Sequence, residues 1–275
     1  MDLRRVAQFT LALSASLAVP AAMSPSPAYA LIGGNETTNP GYAVALTYRA
    51  ASYRGSAADR EFCSGTLIDR QWVLTAAHCL TGTRLSSYEI VLGRTTLSAQ
   101  GGEIIPPDEQ FIQPGYRRSG NAGHDIALIH LARVAGEATA PIASSSLSAK
   151  WAPGKKLLVL GWGYTCARET TSCEGDHLKS APSRVVSDSA CSRAMGGINR
   201  PTEICTKTDG ISLGGGDSGG PAVINTPAGP RLVAVNSWGE IDGRNRDVVG
   251  GWMGYAEVAG TKLATWVSDK MATAR

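Results

Sequence analysis

Phenylalanine and histidine are scarce, three and four in 275 residues, and no long apolar run occurs after the first thirty positions. The missing run argues against a chain built on membrane-spanning helices, each of which needs roughly 20 apolar residues. Lys/Arg clusters interleaved with aromatics are also missing. With a formal net charge of only +3, no nucleic-acid partner is indicated. No Cys-x-x-Cys pair lies near suitably spaced histidines, which speaks against a structural zinc site. Repeats of short period are absent as well.

The first thirty residues have a character of their own. Arg4 and Arg5 precede an apolar stretch from Val6 to about Val19, and the segment closes on Ala28-Tyr29-Ala30. A basic start, a short apolar core and small residues before a cut describe a secretory signal peptide over 1–30. An uncleaved membrane anchor fits less well, because the run is short and contains Ser14, Ser16 and Pro20. The expected location is therefore extracellular, with no membrane attachment once the signal is removed. Six cysteines in an exported chain imply three disulfides, with the connectivity open at this point.

From Leu31 onward, short apolar stretches alternate with Gly, Pro, Ser and Asn clusters. They are Ala43 to Tyr48, Phe62 to Ile68, Trp72 to Ala76, Glu89 to Leu92, Ile126 to Leu131, Leu157 to Leu160 and Leu232 to Val235. Many carry Val, Ile, Thr or an aromatic, and all are too short for helices, so an all-β barrel or sandwich is expected. The Ala-, Ser- and Pro-rich stretch from Ala135 to Pro153 reads as a connector between two halves. One helix is expected near the C-terminus, where Leu263, Trp266, Val267 and Met271 recur at helical spacing and Thr261 offers a cap. Its expected place is the surface of the second half.

Three segments carry candidate chemistry. Trp72-Val73-Leu74-Thr75-Ala76-Ala77-His78-Cys79 puts a histidine after a strand-like run, and Asp125-Ile126-Ala127-Leu128-Ile129 puts a carboxylate at the mouth of an apolar strand. Gly214-Gly215-Gly216-Asp217-Ser218-Gly219-Gly220-Pro221 sets a serine among five glycines. Glycine tolerates positive φ and close backbone approach, so Ser218 can sit on a tight turn with exposed amides. Each segment alone has a plainer reading: a structural histidine, a solvated strand end, a flexible linker.

Together, in the order His, Asp, Ser, the patterns TAAHC, DIALI and GDSGGP resemble the chymotrypsin/trypsin family of serine peptidases, over Leu31 to about Val267. The resemblance implies an all-β fold of two packed six-stranded antiparallel β-barrels with a C-terminal α-helix. It places the peptidase domain at 31–275, with barrels at about 31–140 and 145–258 and the helix at about 261–272. It implies His78 as general base, Asp125 as its orienting acid and Ser218 as nucleophile, with the amides of Gly216 and Ser218 as oxyanion hole. Ser237-Trp238-Gly239 resembles the family's substrate-pairing segment, with Ser237 also bonding Asp125. Leu31-Ile32-Gly33-Gly34 resembles the family's mature N-terminus, whose free amine pairs with the acid before the nucleophile, here Asp217. Leu31 departs from the usual Ile but keeps its volume. Cys63 is implied to bridge Cys79 and Cys191 to bridge Cys205, with Cys166 and Cys173 the remaining pair.

Substrate preference is less legible. Family members that prefer Arg or Lys carry an Asp six residues before the nucleophile; here Ser212 stands there, followed by Leu213, so an apolar pocket lined by Ser212, Leu213 and Gly215 is expected. The stretch from Cys205 to Ser218 looks shorter than in such relatives, which would let Asp209 enter the pocket instead. Gly214 replaces a family cysteine, so one pocket brace is missing, and Met253 would narrow the space further. The segment Gly93 to Glu103 offers one carboxylate, Glu103, against the roughly six to eight oxygens calcium takes, so neither metal nor cofactor is expected. Expected partners are protein or peptide substrates and protein inhibitors, with the chain monomeric. A peptidase-like binding protein that lost catalysis and a serine esterase on the same fold remain the alternatives. The intact set of three residues opposes the first, and the peptide-pairing segment opposes the second.

The cut after Ala30 would itself free the Leu31 amine, with no separate propeptide. N-terminal sequencing of exported protein should therefore begin Leu-Ile-Gly-Gly; a start near Met23 would contradict this.

Overall fold

The computed structural model describes residues 31–117, 122–166, 173, 175–198, 201–241 and 249–274, with the backbone alone for 122, 240, 241, 249 and 250. The expected signal segment, 1–30, lies outside the described residues. Fourteen strand segments dominate these residues. In chain order they are β1 (Asn35–Glu36), β2 (Ala43–Tyr48), β3 (Glu61–Asp69), β4 (Trp72–Thr75), β5 (Tyr88–Leu92), β6 (Glu103–Ile105), β7 (Pro107–Ile112) and β8 (Ala127–Leu131). The second half adds β9 (Lys156–Gly161), β10 (Lys179–Val185), β11 (Glu203–Lys207), β12 (Pro221–Thr226), β13 (Gly229–Ile241) and β14 (Val249–Glu257). No helix among the described residues is long and apolar enough to cross a membrane.

Two antiparallel systems result. The first is a curled sheet in the order β6-β5-β2-β3-β4-β8-β7, whose edge strands β6 and β7 are consecutive pieces of chain split at Pro106. Proline has no N–H to give a ladder, so a break there is expected. The second runs β10-β11-β14-β13-β12-β9 and closes by pairing β9 with β10, a six-stranded barrel with β1 added outside it. This is the expected chymotrypsin-like architecture. Every residue of β4 is buried, as is nearly all of β2. The first core is continuous with Leu160, Trp162, Val223 and Val235 of the second half. The Trp162 indole N–H donates to Thr95 O at 3.0 Å across the junction.

Three disulfides are present: Cys63–Cys79, Cys166–Cys173 and Cys191–Cys205. They match the expected pairing.

Three features differ from expectation. The N-terminal stretch does not belong to the first barrel: Asn35 and Glu36 pair with Ser180 and Lys179 of β10, and Ser212 N donates to Ile32 O at 3.1 Å. A helix was not anticipated at α2 (Asp188–Met195), which follows α1 (Ala77–Leu80) in the chain. Ser187 caps α2 and Gly196 ends it in the left-handed conformation at φ 78°. Its only buried residue is Cys191, so no apolar stripe announced it. The C-terminal helix α3 (Lys262–Thr273) starts as expected, with Thr261 Oγ1 accepting from Leu263 N at 3.1 Å. Yet it packs on the first system. Leu263 and Val267 are buried in that core, and Lys270 Nζ sits 5.3 Å above the Phe111 ring.

Leu263 is fully buried where α3 meets the first system. Leu263→Ala should cost about 2–5 kcal/mol of unfolding free energy. A loss below about 1 kcal/mol in denaturant titration would mean the helix is not part of that core.

Candidate active site

His78 sits on the single turn α1, and Asp125 leads into β8; β4 and β8 pair directly, which brings their ends together. His78 donates twice to Asp125, from its backbone N to Oδ1 at 2.9 Å and across its Nδ1 to Oδ2 at 2.7 Å. With Nδ1 committed to a carboxylate, the ring presents Nε2 outward, and the side chain is about one third exposed (34%) while that of Asp125 is sealed (4%). A third donor reaches the same carboxylate from the other barrel: Ser237 Oγ, 2.7 Å from Oδ2. The reason lies in a bulge. Asn236 pairs with Tyr255 and Trp238 with Gly254, so Ser237 is the extra, unpaired residue of β13 and its hydroxyl turns toward Asp125.

Ser218 occupies the turn between Gly214 and β12. Its carbonyl accepts from Ser64 N at 2.8 Å and lies 3.7 Å from Cys79 Sγ, next to His78 in the chain. Gly219 must be glycine: φ is +83°, and a β-carbon would overlap Thr75 Oγ1 and Ser64 O. At Gly216 φ is +96°, and a β-carbon would overlap the Glu61 carboxylate. The Gly215 carbonyl accepts from Tyr164 N at 2.7 Å, so in a trans peptide the Gly216 N–H faces the opposite way. Ser64 Oγ donates to Gly216 O at 3.0 Å, holding the next peptide as well. These contacts leave the N–H groups at 216 and 218 on a turn whose carbonyls are otherwise engaged.

Asp217, between them, is fully buried. Its Oδ1 accepts from Gly163 N at 2.9 Å and its Oδ2 from Gly214 N at 2.8 Å. Burial pushes its pKa up to about 7, opposed in part by those two amides. Leu31 is also fully buried, in the core of the second barrel with Leu213 and Met253. It is the one non-glycine residue with positive φ among the described residues, at +50°.

Several contributors were not visible in the sequence. Ser64 and Tyr164 act through backbone or hydroxyl contacts with partners far along the chain, and nothing local marks them. Asn236 is another, its Nδ2 donating to Asp217 O at 3.2 Å. Glu61 is the most unusual: its Oε1 is sealed from solvent without a hydrogen-bond partner, and burial, then the Asp217 charge, hold its pKa well above the usual carboxylate range.

Of the expected pocket residues, Ser212 and Leu213 are buried and Gly239 lies against both. Trp238 turns its indole N–H to Glu203 Oε1 at 3.2 Å. Asp209 does not enter the pocket; its side chain is 92% exposed, 3.5 Å from Lys207 Nζ. Among the described residues, the close grouping of metal-type donors is Cys63, His78 and Cys79, whose two sulfurs are joined in a disulfide.

Comparison with known proteins gives a consistent picture. The family model described as Trypsin matches residues 32–267. A trypsin from Saccharopolyspora erythraea is 33% identical over 186 residues, 66% of this chain and 77% of the relative. Trypsin I-P1 of Gallus gallus is 35% identical over 211 residues, 72% and 77% of the two chains. The snake venom serine protease BthaTL of Bothrops alternatus is 35% identical over 187 residues, 66% and 75%.

An acid whose folded pKa is raised binds its proton more tightly folded than unfolded. Stability from Asp217 is therefore greatest below its ordinary value of 3.8 and is lost as pH rises through about 7, when no cation faces the carboxylate. In the full-length chain Asp217→Asn should remove about 4 kcal/mol of that decline between pH 4 and 7. Parallel stability–pH curves for the two proteins would refute the assignment.

Proposed function

The chain belongs to the trypsin family of serine peptidases and is a serine endopeptidase, and on that premise we propose that Ser218, His78 and Asp125 carry the reaction and that a free Leu31 amine switches it on. The observation that carries the reading is the Asp125 carboxylate. Sealed from water, it holds the His78 ring at 2.7 Å while Ser237 secures it from the second barrel. A histidine so oriented has its proton on Nδ1 and an unprotonated Nε2 to act as base.

Ser218 Oγ attacks the peptide carbonyl as His78 Nε2 takes its proton. The oxygen that becomes negative is received by the N–H groups of Gly216 and Ser218. Because Tyr164 and Ser64 already fix the carbonyls of Gly215 and Gly216, these donors need little rearrangement as charge develops, which is where such donors contribute most. His78 then passes the proton to the departing amine, and water activated by the same base releases the acyl group from Ser218. Ser237, Trp238 and Gly239 line the path of the substrate backbone.

Two observations support activation through Leu31. Asp217 is buried with amide donors at both oxygens, and an ammonium would stabilise its ionised form. Leu31 is itself buried in the core of the second barrel with Leu213, the neighbour of the Gly214 amide that bonds Asp217. A signal peptide over 1–30 would supply the cut during export, consistent with three disulfides in the mature part. The whole domain, 31–275, is then secreted as a monomer acting on protein or peptide substrates.

Protein with a free Leu31 amine should gain the mass of a serine-directed phosphonate at Ser218. His78→Ala should abolish labelling, and combining it with Ser218→Ala should cost little more activity than either alone. Absence of an adduct in correctly processed protein would favour a catalytically silent binding protein.

A further inference from the structure

The second barrel carries a groove at the end of β9 remote from Ser218. Gly161, the last residue of β9, lies against Asp217, whereas Lys156 begins the strand, about 17 Å away at the rise of an extended chain. We propose that this groove is a docking site for an acidic polypeptide segment that presents one apolar side chain between carboxylates.

The groove encloses about 450 Å³, within the range of ligand sites. Exposed Lys150, Lys155 and Lys156 line it together with Leu158, Pro182 and Val223. Strand register orders these residues into two rows. Leu158 stands opposite Pro182 on one side and Val223 on the other, an apolar row across β12, β9 and β10. Two residues along the same face, Lys156 stands opposite Arg184, which stands opposite Lys207, a cationic row across β9, β10 and β11.

Like charges directly opposite one another destabilise a sheet, and here the chain answers only part of that charge. Arg184 donates to Gly154 O at 3.0 Å, and Lys207 Nζ lies 3.5 Å from Asp209 and 5.4 Å above the Trp252 ring. Among the described residues, neither Lys156 nor its neighbours Lys150 and Lys155 have a carboxylate at ion-pair distance. The segments that supply the groove, 138–168, 177–187 and 218–239, contain no Asp or Glu, although the whole chain has 23 acids against 26 Lys and Arg. The acids that border β10 and β11 in the chain are Asp188, at the start of α2, and Asp209, already beside Lys207. An acidic partner supplies what these segments lack.

The cations stand on fixed main chain. Gly154 N donates to Val185 O and Val185 N to Lys155 O, each at 2.8 Å. Trp151, buried next to Lys150, donates its indole N–H to Glu257 Oε1 at 2.8 Å. An array ordered beforehand loses less entropy when a partner binds.

The apolar row decides the class of partner. A sulfated or phosphorylated polymer would meet the lysines and leave Leu158 and Pro182 wet. A peptide covers both rows: side chains on one face of an extended chain recur about every 6.6–7 Å, which is also the separation of Lys156 and Leu158 along β9.

A fluorescein-labelled Asp-Glu-Leu-Glu-Asp peptide, titrated by anisotropy into the processed chain carrying Ser218→Ala to prevent cleavage, tests the proposal. Saturable binding is expected, weakening as salt is raised. Lys150→Ala, Lys155→Ala and Lys156→Ala together should weaken it about tenfold, each exposed ion pair contributing up to a few-fold. Glycine in place of the leucine should weaken it about tenfold as well. With Ser218 intact, the triple variant should hydrolyse a short peptide substrate at the unaltered rate, which shows that it folds. No saturable binding, or equal affinity in the triple variant, would overturn the proposal. Polyphosphate binding more tightly than the peptide, with the leucine making no difference, would also overturn it by assigning the groove to a polymer of another kind. Binding needs no catalysis, so failure of phosphonate labelling at Ser218 would overturn the peptidase reading and not the groove.

Discussion

A buried carboxylate must be met by donors, and at Asp217 those donors are the backbone amides of two different loops, one at Gly163 and one at Gly214. That requirement shapes much of the site. The loop at 163 can reach the carboxylate only because it carries no side chain there; a β-carbon on Gly163 would come 2.7 Å from Asp217 Cγ. Once Gly163 is fixed, Tyr164 N falls on the Gly215 carbonyl, and the orientation of the Gly216 amide follows from peptide planarity. Asn236 ties the Asp217 carbonyl to β13, so the strand that carries Ser237 is secured to the same turn. Geometry at Ser218 is thus inherited from solvation of the acid beside it.

The second carboxyl in this region, Glu61, works against the first. Asp217 is buried and one Glu61 oxygen is sealed, and the Asp217 charge raises the cost of ionising Glu61. A negative charge at Glu61 would stand over the Cα of Gly216, close to where the proposed oxyanion hole needs positive potential. Its raised pKa keeps the group neutral over a wider range, which is the compatible state for a residue in that position.

The strands and the three catalytic candidates could be read from sequence because their signals are local: short β-branched runs between turn residues, and three compact motifs. The glycine at 219 and the cap at Thr261 were equally local. What escaped depends on contacts between distant segments. Ser64 and Glu61 meet the serine turn from more than 150 positions away, as the 152-residue separation of Ser64 and Gly216 illustrates. The stripe of Leu263 and Val267 announced an apolar face for α3, but not which barrel would receive it. The contact of Gly239 with Ser212 and Leu213 escaped for the same reason, since no pattern in either segment records it.

The two ends of the described chain are exchanged between the barrels. The first segment after Leu31 adds a strand to the second barrel, and the last helix completes the core of the first. During synthesis, then, the first system lacks Leu263 and Val267 until α3 is made, while Asn35 and Glu36 wait for β10 before they can pair. Domains commonly fold in the order they are made; this one is laced so that neither half can finish alone. Contacts that span so much of the sequence slow folding, and here they tie each barrel to a segment made with the other.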